Sequence, residues 1–172
     1  MSPRIKLALI GLACTAPFVL GTAAYLFGWA PGEPANYGEL IAPRPLSGPP
    51  LDALSGKWVL VSFDAAACDA YCERKLYLMR QVRTAMHKEA GRVERLWVVT
   101  DVGKPRAGLL SAIEGTRIAR LADSLRGFPG NTVDHIYVID PLGNLMMRFP
   151  RDPDPSKMLK DVQRLLRLSQ IG

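Results

Sequence analysis

The chain has 172 residues, of which 48% are apolar and 22% are charged. This length suits one domain with a proper core better than two, and the composition excludes a chain that is disordered throughout. The formal net charge is +6. Because the basic residues are scattered and lack interleaved aromatic side chains, we expect no nucleic-acid binding, and the charge suits a membrane surface or an acidic partner.

Residues 1–30 are predicted to form a membrane anchor. The uncharged run from Leu7 to Ala30 would span roughly 36 Å as a helix, which is enough to cross a bilayer. Arg4 and Lys6 precede the run, and basic residues favour the cytoplasmic side. We therefore expect one pass through the inner (plasma) membrane, a cytoplasmic N-terminus and a periplasmic C-terminal domain. A cleaved signal peptide, with a cleavage site near residues 22–24, is the alternative.

Residues 31–50 contain six prolines and three glycines. Such a segment is typical of an extended, semi-rigid linker. We therefore predict a linker over 31–50 that holds a folded domain, residues 51–172, away from the membrane.

The folded domain alternates strands and helices. Residues 58–63 are almost wholly apolar, as expected for a strand covered on both faces. The later predicted elements are, in chain order, a helix over 72–87, a buried strand over 95–100, a short helix over 107–113, an ambiguous stretch over 116–124, a hairpin of 136–139 with 145–147, and a helix capped by Asp154. This order, with two cysteines after the first strand, predicts an α/β domain of the thioredoxin-like, three-layer type with a mixed central sheet.

Cys68 and Cys72 are the candidate site. They lie between the first strand and its helix, and side chains four residues apart on a helix are neighbours. The helix N-terminus favours thiolate over thiol. The pair could therefore bind a soft metal ion, above all Cu(I), or close a disulfide. A disulfide across three intervening residues would add little stability, because the entropic gain grows with loop length. This favours a functional pair over a structural disulfide.

His135 is the candidate third metal ligand. It opens the predicted third strand after a Gly/Pro loop, and in a thioredoxin-like fold that loop end lies beside the dithiol. A surface or core histidine is the alternative. His87, fifteen residues beyond Cys72, should be too far away. Zinc is disfavoured because it usually takes four protein ligands, and Cys14 falls within the predicted anchor.

At these residues the chain resembles the Sco/SenC family of membrane-anchored copper chaperones. In that family a Gly-Lys-apolar strand ends in Phe before a Cys-x-x-x-Cys helix, as in Gly56-Lys57, Phe63, Cys68 and Cys72 here. An Asp-containing loop, a Val-Asp-His stretch and an Asp-Pro-x-Gly turn follow in the family. Asp101, Val133-Asp134-His135 and Asp140-Pro141-Leu142-Gly143 match them.

The resemblance implies copper ligation by Cys68, Cys72 and His135. It also implies delivery of copper or reducing equivalents to the CuA site of cytochrome c oxidase, with the CuA subunit or another copper chaperone as partner. The family usually has Pro after each cysteine, whereas Asp69 and Glu73 follow here. Two other functions stay open: a periplasmic thiol-disulfide oxidoreductase, in which the cysteines are catalytic, and an assembly scaffold without turnover.

The remaining candidates have simpler interpretations. Met146 and Met147 are expected to be core residues and not thioether copper ligands, since adjacent strand residues point to opposite faces and cannot both bind one ion. Asp64 and Asp69 flank the cysteine turn; we expect them to be solvated, and the alternative is that they tune the charge there. Tyr71 is either a shield or docking ring for the cysteines or an exposed aromatic. Asp101 is expected to be a turn residue.

Overall fold

In the computed structural model, residues 2–29, 36–169 and 171 are described, and the chain divides into two units, Met1–Ala35 and Asn36–Gly172. The first unit contains helix α1, Pro3–Leu26, none of whose residues is buried. It is the one helix in the described part of the chain that is long and apolar enough to cross a membrane. This supports the predicted single-pass anchor. Ala30, the end of the predicted span, lies outside the described residues.

The second unit contains six strands and three α-helices in its described residues. They are, in chain order, β1 (Glu39–Pro45), β2 (Trp58–Asp64), α2 (Ala70–Ala85), β3 (Val93–Val99), α3 (Ala107–Ala112), β4 (Arg117–Arg120), β5 (Ile136–Ile139), β6 (Asn144–Arg148) and α4 (Pro155–Leu168). The ambiguous stretch 116–124 therefore supplies a short strand. Asp154 caps α4 as predicted, since its carboxylate accepts hydrogen bonds from the amides of Ser156 and Lys157.

The strands form one sheet in the order β1-β6-β5-β2-β3-β4. β2 lies parallel to β3 and antiparallel to β5, so that Val61 pairs with Leu96 on one side and with Tyr137 on the other. The β3–β4 pair is parallel, whereas the β5–β6 and β1–β6 pairs are antiparallel. The predicted α/β, thioredoxin-like fold with a mixed central sheet is confirmed.

The two faces of the sheet bury different clusters, because successive strand residues point to opposite sides. One face packs against α2 and α4; Leu60, Trp97 and Val138 belong to this cluster. The other face, which carries Val61 and Tyr137, is covered by segments that include Leu51, Leu54, Leu125 and Phe128. Apolar burial on both faces explains why β2 is apolar almost throughout.

The structure corrects the predicted linker. Residues 31–35 lie outside the described part, but Glu39–Pro45 form β1 at the edge of the sheet, paired with β6. The prolines of β1 fit an edge strand, which has no neighbour on its outer side. The amide of Gly38 also donates a 2.7 Å hydrogen bond to the buried carboxylate of Asp161 on α4. The folded unit thus begins near Asn36 and not at Leu51.

Candidate redox and metal site

The turn between β2 and α2 is built to start a helix at the cysteines. The Cys68 amide donates to the carbonyl of Ala65 at 3.0 Å, and Cys68 adopts a left-handed backbone conformation with φ 45°. Asp69 then caps α2, since its carboxylate accepts a 2.8 Å hydrogen bond from the Cys72 amide. A side-chain cap of this kind satisfies one of the amides that a helix leaves unpaired at its start. Asp69 is exposed, as expected, but it also positions the second cysteine.

Cys68 and Cys72 form a disulfide, with their Cα atoms 5.2 Å apart. The expectation that the two sulfurs share one location agrees with this bond. Both cysteines are buried, since Cys68 is 4% and Cys72 is 2% accessible. Both residues belong to the cluster between the sheet and the helices. Little of either residue is therefore accessible to an attacking thiolate.

The structure does not bring His135 into a metal-binding group with the cysteines. Its Nδ1 lies 2.8 Å from the carbonyl oxygen of Phe149, and its ring centroid lies 5.9 Å from that of Tyr137. Tyr137 belongs to the cluster on the face opposite the disulfide, whereas Ile136 shares the cluster of the cysteines. Across the described residues, no group of three His, Cys, Asp or Glu side chains could hold a metal ion. A ligand role for His135 stays a prediction.

The other sulfur and imidazole side chains lie either in the core or on the surface. Met147 is buried in the cluster of the cysteines and Met146 packs against it, so both are core residues as expected. Cys14 is a free, exposed thiol on α1. His87 is exposed at the 3-10 turn that follows α2.

Lys75 and Asp64 form a buried ion pair near the disulfide, which the sequence patterns did not predict. Lys75 follows Cys72 by three residues on α2, and its Nζ lies 2.9 Å from Oδ1 of Asp64 at the end of β2. Lys75 is 1% and Asp64 is 6% exposed. The expectation that Asp64 is solvated is therefore wrong. The sequence signal was a lysine next to Leu76 in the apolar stripe of α2, a position where a charge requires a partner.

The Asp64 carboxylate is an acid of the site whose pKa is shifted from its usual value. Burial raises its pKa, against the lowering influence of the Lys75 charge and of hydrogen bonds from Ser62 and Lys75. The Ser62 hydroxyl donates to Oδ2 at 2.6 Å. Desolvation outweighs the ion pair because a carboxylate loses more hydration on burial than one partner restores.

The loop before β5 is held against α2 through its backbone. Lys75 Nζ donates to the carbonyl of Val133, and the Tyr71 hydroxyl donates to the carbonyl of Asp134 at 2.9 Å. The Tyr71 ring has Lys75 Nζ at 5.0 Å and the Arg151 guanidinium at 5.2 Å from its centroid. Burial raises the pKa of Tyr71. Tyr71 thus ties the cysteine helix to the loop that precedes His135.

Asp101 supports the cysteine turn from the end of β3. Its Oδ1 accepts hydrogen bonds from the amides of Ala66 and Gly103, both at 3.1 Å. Arg106, just before α3, donates to the Cys68 carbonyl at 3.3 Å and pairs with Glu73 on α2. Asp101 is therefore a turn residue as expected, and it also fixes the segment that carries Cys68.

The charges around the disulfide have opposing effects on a thiolate. The N-terminus of α2 and the Lys75 ammonium group favour the anion, whereas the carboxylates of Asp64 and Asp69 disfavour it. The arrangement can support reversible opening and closing of the disulfide. In the dithiol form it offers two adjacent sulfur donors.

A mixed sheet with a disulfide at the start of the helix after its central strand defines a thioredoxin-like protein. The sequence matches a family model over residues 58–169, well over half of the chain. The chain belongs to this family, described as the transmembrane-like, thioredoxin-like, C-terminal domain. Comparison with curated proteins finds no match.

Solved structures share the fold at low sequence identity. Copper-bound yeast Sco1 aligns with a TM-score of 0.55 at 16% identity, covering 80% of this chain and 96% of that one. Copper-bound Arabidopsis thaliana ScoI gives 0.52 at 15% identity, with coverage of 69% and 89%. A putative thiol:disulfide interchange protein DsbE from Chlorobium tepidum gives 0.50 at 17% identity, with coverage of 78% and 99%. Likeness at these identities establishes the fold and not the ligand or the reaction.

Proposed function

We propose that this chain is a membrane-anchored thiol–disulfide exchange protein that acts on cysteines of an exported client. The observation that carries the proposal is the Cys68–Cys72 disulfide at the N-terminus of α2. A bridge across three residues adds less chain-entropy stabilisation than one that closes a longer loop. Its position beside a buried Lys75–Asp64 pair therefore favours chemistry over stapling.

The exchange is a balanced two-electron step. A client thiolate attacks one sulfur of the disulfide, the S–S bond breaks, and a mixed disulfide forms. The second client thiol then displaces the chain, so that two electrons and two protons pass from the client to Cys68 and Cys72. The reverse exchange, from the dithiol form, reduces a client disulfide.

The client is proposed from the resemblance to the Sco/SenC family. Copper enters a protein site only when its cysteines are reduced, and the CuA subunit of cytochrome c oxidase is the client that the resemblance suggests. The domain would then lie in the periplasm, anchored by α1 with the N-terminus in the cytoplasm. A periplasm-active reporter fused after residue 172 tests this orientation, and activity of a cytoplasm-only reporter there contradicts it.

The exchange itself is tested on the full chain in detergent micelles. Equilibration with glutathione buffers should give one two-electron transition, lost in Cys68→Ser and in Cys72→Ser. Cys14→Ser is the matched control, because it removes a thiol outside the disulfide and should change nothing. Absence of exchange with a client peptide carrying two cysteines would refute the proposal. A Cys68→Ser/Cys72→Ser strain with normal oxidase assembly would favour a scaffold.

Transport of Cu(I) by the same two cysteines is the second candidate. The observation that favours it is the adjacency of the sulfurs, since two thiolates suit Cu(I), and Sco structures of the same fold contain copper. His135 could join them only if the loop that precedes β5 moved. Titration of the reduced chain with Cu(I) should show one equivalent bound per pair. Unchanged affinity in His135→Ala would leave the cysteines as the protein ligands.

A further inference from the structure

Three arginines converge between α2, β3 and the end of α3, away from the disulfide. Arg80 and Arg83 lie three residues apart and so share one face of α2. Arg83 Nε donates to the carbonyl of Val93 at 2.6 Å, where β3 begins. Arg80 Nη1 donates to the carbonyl of Ala112 at 2.7 Å, where α3 ends. Arg95 lies two residues along β3 from Val93. Arg80 is eight residues beyond Cys72, which is roughly 12 Å along the helix.

Arg95 forms the floor of this group and is incompletely paired. The residue is 3% exposed. Its Nη2 donates to the carbonyl of Glu114 at 2.8 Å, but its Nε and Nη1 are buried with no hydrogen-bond partner among the described residues. Burial lowers the pKa of Arg95, and the neighbouring charges of Arg83 and Arg80 lower it further, whereas the charge of Glu94 raises it. A buried cation with free donors and like-charged neighbours requires a negative partner.

The described part of the chain supplies no carboxylate in direct contact with these arginines. None of the three guanidiniums forms an ion pair with a described carboxylate. Glu94, the adjacent acid on β3, lies 3.8 Å from Arg117 instead, and Glu114 contributes its backbone carbonyl. The hydroxyl oxygen of Thr116 is also buried without a hydrogen-bond partner among the described residues. Since Leu96 pairs with Arg117 in the sheet, Thr116 lies beside Arg95.

We propose that Arg80, Arg83 and Arg95, with the Thr116 hydroxyl, form a binding site for a small tetrahedral oxyanion of the phosphate class. Guanidinium groups present forked donors that match phosphate oxygens, and a hydroxyl completes such a shell. Arg80 is exposed and Arg83 is half-buried, so the site has an open rim over a closed floor. The oxyanion has two sources, free phosphate or the phosphodiester of an anionic lipid headgroup.

The test measures the melting temperature of the full chain in non-ionic detergent, followed by tryptophan fluorescence. Inorganic phosphate at ten times its dissociation constant should raise the melting temperature by about 5 °C. Sodium chloride at the same ionic strength should not. The Arg80→Gln/Arg83→Gln variant should lose at least four-fifths of the shift. The matched control, Arg126→Gln/Arg167→Gln, removes the same charge from exposed positions and should keep it, as should Cys68→Ser/Cys72→Ser.

The two sources are separated in nanodiscs. If the ligand is a headgroup, phosphatidylcholine nanodiscs that contain phosphatidylglycerol should raise the melting temperature of the natural chain and not that of Arg80→Gln/Arg83→Gln. Arg95→Met should lose the response from either source. A shift of equal size in the natural chain and in the arginine variant would overturn the site, and so would no response to phosphate or to phosphatidylglycerol.

Discussion

Replacing Lys75 by methionine should destabilise the domain strongly. Met keeps most of the aliphatic stem but removes the ammonium group that lies 2.9 Å from Asp64 and also contacts the carbonyl of Val133. Breaking a buried pair by removing one partner leaves the other charge uncompensated and costs about 3–5 kcal/mol. We therefore expect Lys75→Met to lower the free energy of unfolding by that amount at pH 7, and the melting temperature by about 10–18 °C.

The cost should grow with pH. Because burial raises the pKa of Asp64, the folded state holds this proton more tightly than the unfolded state does. The stability contributed by Asp64 is then complete below about pH 4 and falls as the pH rises through the raised pKa. Removing Lys75 removes an influence that lowers this pKa, so the fall becomes larger and extends to higher pH.

The assay is urea unfolding of the full chain in detergent micelles at several pH values, followed by near-UV circular dichroism of the buried Trp58 and Trp97. Lys160→Met on the exposed side of α4 is the control and should change the free energy by less than about 0.5 kcal/mol. Adding Asp64→Asn to Lys75→Met should restore much of the loss. A cost below about 1 kcal/mol, or one that shrinks as the pH rises, would refute the argument.

Further predictions concern the disulfide, its supports and the opposite face. Reduction with dithiothreitol should lower the free energy of unfolding by about 2 kcal/mol, the chain-entropy value for so short a loop; no change in the urea midpoint would contradict this. Asp101→Ala removes the acceptor of two amide hydrogen bonds. It should cost about 1–3 kcal/mol and speed reduction of the disulfide by small thiols, whereas an unchanged rate would show that Asp101 does not restrain the turn. Tyr137→Phe removes the 2.6 Å hydrogen bond to the Pro129 carbonyl and should cost about 1 kcal/mol. Because burial raises the pKa of Tyr137 to about 12, its contribution is present below about pH 10 and is lost as the pH rises through 12. In an ultraviolet titration, the variant should lack one phenol that ionises near pH 12 in the natural chain. If the variant instead lacked a phenol that ionises near pH 10, the assignment to Tyr137 would be contradicted.

The sequence predicted those elements whose patterns reflect local physical chemistry. β2 was recognisable because both its faces are covered, and α4 because Asp154 caps a helix with a clear apolar stripe. β1 was missed because prolines and glycines indicate a linker. That interpretation ignores an edge strand, where proline removes a donor that no neighbouring strand requires. Its pairing with β6 depends on a contact more than a hundred residues away.

The sequence predicted the cysteine pair of the candidate site but not the residues that surround it. The spacing of Cys68 and Cys72 indicated that the sulfurs meet. Their burial was not visible, because it depends on how the cysteine turn is held by Asp101 and Arg106 from distant segments. The strand register decides which face His135 occupies, and a one-residue difference reverses that face. The Lys75–Asp64 pair is a tertiary contact: the position of Lys75 indicates that it has a partner, but the sequence does not identify Asp64 as that partner.

The clamp between Gly38 and Asp161 has a mechanical consequence. Any pull on the domain from the membrane side of the chain enters through the backbone just before β1. The hydrogen bonds of Tyr37 with the Asp154 amide and of Gly38 with the Asp161 carboxylate bear that load before the hydrogen bonds between β1 and β6 do. A force applied through the membrane anchor is therefore shared with α4. As a result, β1 is less easily pulled away from β6.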